Sequence, residues 1–288
     1  MFQLLNKQKG EFTDSDAAII NALSIHASLA IENARLVEQE RQKIRIERDL
    51  LAARDVQMSL LPASPPKIPG YEFAAVALPA REVAGDLYDF IHLDRRRLAL
   101  TVGDVSGKGL PAALLMAHMQ GSVRDVAHET EDVGECVTRL NHRLVESTSP
   151  EKFATLVYGV LDPETHCFRY SNAGHNPPML ATGAQPPRLL ETGGTLLGIV
   201  DGLTFAEESV PLAPGDLLVL YTDGISEAMN VRQEQFGDDR LAALVQDCRS
   251  LSAPAAKDRI LAAVEAHQGG QPAADDITLV VIKRLAGN

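Results

Sequence analysis

LALTVGDVSGKGLPAALLM, residues 98–116, joins a buried strand to a helix through a glycine-rich turn. The apolar-rich residues 98–102 suit the strand, and Gly103, Gly107 and Gly109 then break regularity. Pro111 is preset for the first turn of a helix and leads into the apolar run 112–116. Asp104 therefore stands where a strand gives way to a turn, a position from which a carboxylate faces a cleft. The turn is not a phosphate-cradling P-loop, which needs four residues between its first glycine and the Gly-Lys pair, followed by Ser or Thr. Here Gly103 and Gly107 are one residue too close, and Gly109 stands where the hydroxyl is required.

Composition limits what such a turn can serve. The chain has 288 residues, 45% of them hydrophobic, enough for a substantial core in one large domain or two ordinary ones. A net charge of -12 argues against a nucleic-acid partner or an anionic membrane surface. Cys136, Cys167 and Cys248 are scattered with no C-x-x-C spacing, which disfavours a disulfide framework or zinc knuckle and points to a reducing cytoplasm. No apolar stretch approaches the roughly 18 residues of a membrane span, and no signal peptide is evident.

Residues 12–61 contain neither Gly nor Pro, in a chain with 21 and 16 of them, and read as helix. Thr13 and Asp16 resemble a capping box, with Asp in place of Glu. Ala30, Val37, Ile44, Leu51 and Met58 form a seven-residue column, while the companion column Ala34, Arg41, Arg48 and Asp55 is mostly polar. Two readings stay open: a two-stranded coiled coil, and a solvated helix lying on its own domain. Pro62, Pro65, Pro66, Pro69 and Gly70 end the helix, and a second domain starts near Ile68.

That domain reads as strands in hairpin order with two pairs of helices inserted, which excludes a repeating βαβ order and fits an α+β layered domain with antiparallel sheets. Strands are predicted over 71–78, 90–93, 98–102, 153–161, 167–171, 204–210 and 217–221, with a last one after Asp276. Helices are predicted over 111–128, 133–147, 239–248 and 254–267. The loop before residue 90 brings Asp86 and Asp89. His175, in the turn-rich loop NAGHNPP, is read as a surface or packing residue. Asp86, Asp104, Asp223 and Asp275 each lie at a strand end or in a loop beside one. If those ends converge, hard oxygen ligands without clustered nitrogen or thiolate select magnesium, manganese or calcium. Divalent ions would relieve the repulsion among the carboxylates and suit phosphate-ester hydrolysis.

AREVAGDLYDF, GDVSGKGLPAALLM, NAGHNPP, LYTDGISEA and DDITLVV, in this order, resemble the bacterial RsbU/SpoIIE type of the metal-dependent Ser/Thr protein phosphatases, the PPM superfamily. The resemblance spans residues 68–286. It implies an α+β, four-layer αββα sandwich with two Mn2+ or Mg2+ ions that activate water. Asp104 would bridge the metals, the carbonyl of Val105 would be a backbone ligand, Asp223 and Asp275 would complete the set, and Asp86 would ligate directly or through water. Asp276 is the alternative to Asp275. Arg81 corresponds to a phosphate-binding arginine of eukaryotic relatives, with a surface ion pair to Glu82 or Asp89 as the competing reading. The implied substrate is a phosphorylated STAS-domain anti-sigma factor antagonist. Residues 1–33 resemble the last helix of a GAF sensory domain, and 34–62 would be a linker helix able to form a homodimer.

Two departures stand out. Ala84 replaces the first of two glycines before Asp86, a change expected to be tolerated. Ser106 stands where eukaryotic relatives carry a histidine, so the general acid is unassigned. A catalytically silent, dimeric signalling scaffold of the same fold is the alternative to the enzyme, opposed by the presence of all four aspartates.

Overall fold

The glycine- and proline-free stretch forms one 47-residue helix, α1 (Asp14–Leu60), in a computed structural model that describes residues 5–149 and 151–286. Its start is a reciprocal capping box: Thr13 N donates to Asp16 Oδ2 at 2.8 Å, and Asp16 N donates to Thr13 Oγ1 at 3.4 Å. Two compact units divide the chain, Met1–Ala52 and Ala53–Asn288. In the first, Ile19, Leu23, Leu29, Val37, Ile44 and Leu51 are exposed along α1. No helix among the described residues is long and apolar enough to cross a membrane.

The second unit runs in the order β1 (Tyr71–Leu78), β2 (Leu87–His92), β3 (Leu98–Val105), α2 (Leu110–Ala127), α3 (Val133–Ser147), β4 (Ala154–Asp162), β5 (Cys167–Ala173), β6 (Met179–Ala181), β7 (Arg188–Leu189), β8 (Gly193–Gly194), β9 (Glu208–Pro211), β10 (Leu217–Tyr221), α4 (Asp223–Ser226), α5 (Asp238–Asp247), α6 (Ala253–Gln268) and β11 (Ile277–Arg284). One sheet has the order β1-β11-β10-β6-β7; the other runs β2-β3-β4-β5-β8, with β9 also paired to β5. Helices α2 and α3 pack on the second sheet, α5 and α6 on the first. The layers are helix, sheet, sheet, helix.

Strands β10 and β11 show why the sheets stack. Leu218, Leu220, Val280 and Ile282 point into the core shared with the other sheet, while Leu217, Val219, Leu279 and Val281 meet Ile260 and Val264 of α6. A strand segment covered on both faces is apolar at every position, and Leu217–Tyr221 of β10 and residues 279–282 of β11 read so in sequence.

The short elements β6, β7, β8 and α4 have no counterpart in the sequence reading, and three predicted strands differ from it. Strand β2 begins at Leu87 and so takes in Asp89, whose buried carboxylate accepts from Arg124 Nε of α2 at 2.6 Å. Strand β3 runs on to Val105, because β4 continues beside it and pairs Asp104 with Thr155 and Val105 with Ala154. Asp104 therefore lies within the strand. The strand expected over 204–210 is confined to Glu208–Pro211, beside β5.

The second unit includes the last turns of α1, where Gln57 is buried. Its side chain closes a two-way bond with one residue of the β1–β2 loop: Ala84 N donates to Gln57 Oε1 at 2.9 Å, and Gln57 Nε2 donates to Ala84 O at 2.7 Å. Removing both partners strands two buried backbone groups. Gln57→Ala is expected to cost about 2–3 kcal/mol of unfolding free energy, measured by denaturant titration of the wild type and the variant.

Candidate active site

Antiparallel pairing brings the acidic positions to one end of both sheets. Asp86 immediately precedes β2 and Asp104 is near the end of β3, with Leu87 opposite Gly103 in the ladder. Asp223 follows β10 and Asp275 precedes β11, with Tyr221 opposite Leu279. A cleft of about 580 Å³ opens there, lined by Asp104, Asp223, Asp275 and Asp276 together with Arg81 and Lys108. Asp86 lies beneath, buried, its Oδ2 accepting the Thr222 hydroxyl at 2.6 Å.

The carboxylates feel one another. Burial, and then the charges of Asp223, Asp275 and Asp276, push the Asp104 carboxyl up to about 7. Burial and the Asp275 charge raise Asp223 as well, and burial followed by the Asp104 charge raises Asp86 well above the usual carboxylate range. Lys108 partly offsets this charge: its Nζ donates to Asp275 Oδ2 at 2.7 Å. Arg81 lies close enough to act on the Lys108 ammonium.

Asp276 has a different task from its neighbour. Its Oδ1 accepts from Ala80 N at 2.8 Å and its Oδ2 from Gly85 N at 2.7 Å, so both oxygens fasten the loop that carries Arg81 and Asp86. Two glycines allow the close approach. A Cβ on Gly85 would stand 3.0 Å from Asp104 Oδ1 and 3.1 Å from Val105 O, and one on Gly224 would lie 1.9 Å from Asp276 O. Ala84, by contrast, needs no left-handed backbone.

His175 is buried and takes no place in the cleft wall. Its Nε2 donates to Tyr221 O at 3.1 Å, because a carbonyl can only accept, and its Nδ1 accepts from the Thr155 hydroxyl at 2.8 Å. Burial lowers its pKa to about 4, so the ring is neutral. It ties β4, beside Asp104, to the end of β10 just ahead of Asp223. Ser106 is spent locally, its Oγ accepting from Phe153 N at 3.0 Å.

Among the described residues no group of three His, Cys, Asp or Glu side chains is already gathered as a preformed ion cage. The donor set still fits a hard divalent cation: carboxylates, the Val105 carbonyl, and the space left against Gly85, between Asp104 Oδ1 and that carbonyl, which a Cβ would fill. The structure thus brings Asp104, Asp223, Asp275 and the Val105 carbonyl to one place, with Asp86 behind them and Arg81 at the rim. It turns Asp276 toward the loop and gives Asp89 to Arg124. Sequence alone gives no site role to Lys108, Thr222 or Gln57. Only Lys108 carried a usable signal, a cation between two glycines in the loop of Asp104.

A raised carboxyl pKa has a definite sign for stability. The folded chain holds a proton on Asp104 that the unfolded chain releases above its ordinary 3.8, so the stability this group contributes is full below that value and lost as pH rises through about 7. Asp86 and Asp223 act in the same direction. In the presence of a chelator, the melting temperature is expected to fall between pH 6 and pH 8.5. Asp104→Asn should flatten that dependence and add on the order of 2 kcal/mol at the higher pH, read by thermal denaturation.

Residues 94–285 match the family described as Stage II sporulation protein E (SpoIIE). The chain is 29% identical to Protein IcfG of Synechocystis sp. over 267 residues, covering 82% of this chain and 41% of that protein. It is 28% identical to Phosphoserine phosphatase RsbU of Bacillus subtilis over 254 residues, covering 85% of this chain and 74% of that one. The chain thus spans under half the length of the first of these relatives. Among solved structures it superimposes on the SiaA-PP2C domain of Pseudomonas aeruginosa with a TM-score of 0.72 at 20% identity, covering 84% of this chain and 98% of that domain. That likeness gives the fold, and the family match, over well more than half of the 288 residues, establishes that the chain belongs to the SpoIIE family.

Proposed function

We propose that this chain is a metal-dependent phosphatase of phosphoserine and phosphothreonine residues. The observation that carries the reading is the single cleft lined by Asp104, Asp223 and Asp275 together with Arg81 and Lys108. Two Mn2+ or Mg2+ ions held by Asp104, the Val105 carbonyl, Asp223 and Asp275, with Asp86 in support, would polarise water and the phosphoryl oxygens. The remaining tasks fall to the chain. Arg81 offers a planar fork for two phosphate oxygens and Lys108 a second positive charge, so the rim orients the ester above the acidic floor. The Asp276 clamp and the His175 bridge hold the floor against repulsion.

RsbU bears the name of a phosphoserine phosphatase, which supports this substrate class. Resemblance to that type further supports a phosphorylated STAS-domain protein as the natural substrate. The three free cysteines fit a reducing cytoplasm. Asp104→Ala is expected to lower Mn2+-dependent hydrolysis of p-nitrophenyl phosphate, and phosphate release from a phosphorylated STAS protein of the same genome, by about a hundredfold or more. Equal, metal-independent rates in both proteins, or none in either across a range of Mn2+, would favour the silent scaffold.

The exposed apolar residues of α1, among them Val37, Ile44 and Leu51 of the seven-residue column, support a homodimer formed through the linker helix, residues 34–62, that follows the GAF-like residues 1–33. Deleting residues 1–52 keeps Gln57 and its bond to Ala84. The mass measured by light scattering is expected to fall from dimer to monomer; an unchanged mass would remove the helix as the dimer contact.

A further inference from the structure

Helix α2 buries Ala112, Leu115, Met116 and Met119, yet Leu110 and Leu114, one turn apart, are 45% and 64% exposed. His118 continues that stripe and is hydrogen-bonded to Ser147 Oγ, at the C-terminal end of α3, at 2.8 Å. The stripe therefore runs beside the segment that follows α3. There Phe153 is locked to the loop of Asp104, since Ser106 N donates to Phe153 O at 2.8 Å. Ala154 pairs with Leu197, and the next residues are pinned to α3 by Asn141: its Nδ2 donates to Val200 O at 2.8 Å and its Oδ1 accepts from Gly198 N at 2.9 Å. This leaves the side chains of Ile199 and Val200 about half exposed.

Leu110 and Leu114 on α2, Phe153, and Ile199 with Val200 are thus carried by segments that the bonds His118–Ser147, Ser106–Phe153, Ala154–Leu197 and Asn141–Gly198 hold beside one another. Phe153 also lines the cleft. Leu110 and Leu114 lie on the outer side of α2, whose other face already fills the core, and Phe153, Ile199 and Val200 are exposed positions of the loops beside it. Exposed apolar side chains gathered on neighbouring segments beside a cleft mark an interaction site.

We propose that this shelf docks the polypeptide on either side of the phosphorylated residue, laying apolar side chains of the phosphoprotein on Leu114 and Ile199 while the phosphate enters the cleft. The proposal rests on the phosphatase reading and names what its substrate must present. Continuity decides the occupant. The shelf shares Phe153 with the cleft, and cations stand at their junction: Lys108 in the cleft wall, and Lys152, whose Nζ would lie 3.4 Å from a Cβ on Gly107. A phosphorylated chain with apolar neighbours matches that order of charge and grease. A small phosphate ester would have no use for the shelf.

Two fluorescein-labelled peptides of equal length and charge, each carrying the non-hydrolysable phosphonate analogue of phosphoserine, test this, one with Leu and Ile two positions before and after that residue, the other with Ser at those positions. Anisotropy titrations use the full chain with Mn2+, as wild type and as Leu114→Ser/Ile199→Ser, exposed positions at which melting temperature verifies folding. Wild type is expected to bind the apolar-flanked peptide about tenfold more tightly, and the double variant to bind both alike at the weaker level. Equal affinities in wild type, or a preference that survives in the double variant, would overturn the proposal. So would a fall in the variant's mass by light scattering, which would make a second copy the occupant. Because binding is the readout, absence of p-nitrophenyl phosphate turnover in wild type would count against the phosphatase reading while the peptide preference still decides the shelf.

Discussion

Repulsion among Asp104, Asp223 and Asp275 is the constraint that the surrounding scaffold answers. Carboxylates brought together in a partly dry cleft tend to take up protons or move apart, and Asp104 already shows the first response. The second is blocked by backbone. Asp104 sits inside β3, between β2 and β4, while Asp223 is carried by a single helical turn closed against the Asp276 carbonyl through Gly224. Thr222 joins the two sheets directly: its hydroxyl donates to Asp86 and accepts from Thr278 N at 2.9 Å. His175 adds a second tie between β4 and β10. The loop 80–86 hangs between Asp276 on one side and Gln57 on the other. Every one of these bonds is polar and most are buried, so each is strong where it stands and costly to leave half made.

Which features could be read from the sequence follows from the range over which each is encoded. The strands β1 and β10 and the helix α3 have the bounds that local pattern predicts, because periodicity and turn residues are local properties. The strand ends that carry chemistry were harder. Nothing within residues 98–105 says that β3 continues past Val102; the partner strand β4, fifty residues later, decides it. Asp89 shows the same limit, since its role depends on Arg124, one helix away. Motif spacing found the acidic positions, yet Asp275 and Asp276, adjacent and chemically identical, are separated only by what faces them: Lys108 in one case, two loop amides in the other. Gln57 was invisible because its partner is a backbone group, and a glutamine in a charged helix carries no mark of that.

The places where the sequence goes against its own fold cluster at one spot. A stable αββα sandwich has no need of uncompensated acids beneath a cleft, nor of leucines on the wrong side of α2, nor of an isoleucine and a valine at the tip of a loop. Local conflicts of this kind lower stability and survive when something other than folding maintains them. Here the acidic floor, the basic rim and the apolar shelf adjoin one another, and the element common to all three is the short stretch from Asp104 to Leu114. In eleven residues it supplies a carboxylate to the floor, a carbonyl beside it, a lysine to the rim and two leucines to the shelf. The glycines that make this stretch look like a mere turn let its carboxylate and lysine face the cleft while its leucines stay on the outside of α2, which is why one short segment can present both the chemistry and a surface for the polypeptide that brings it a substrate.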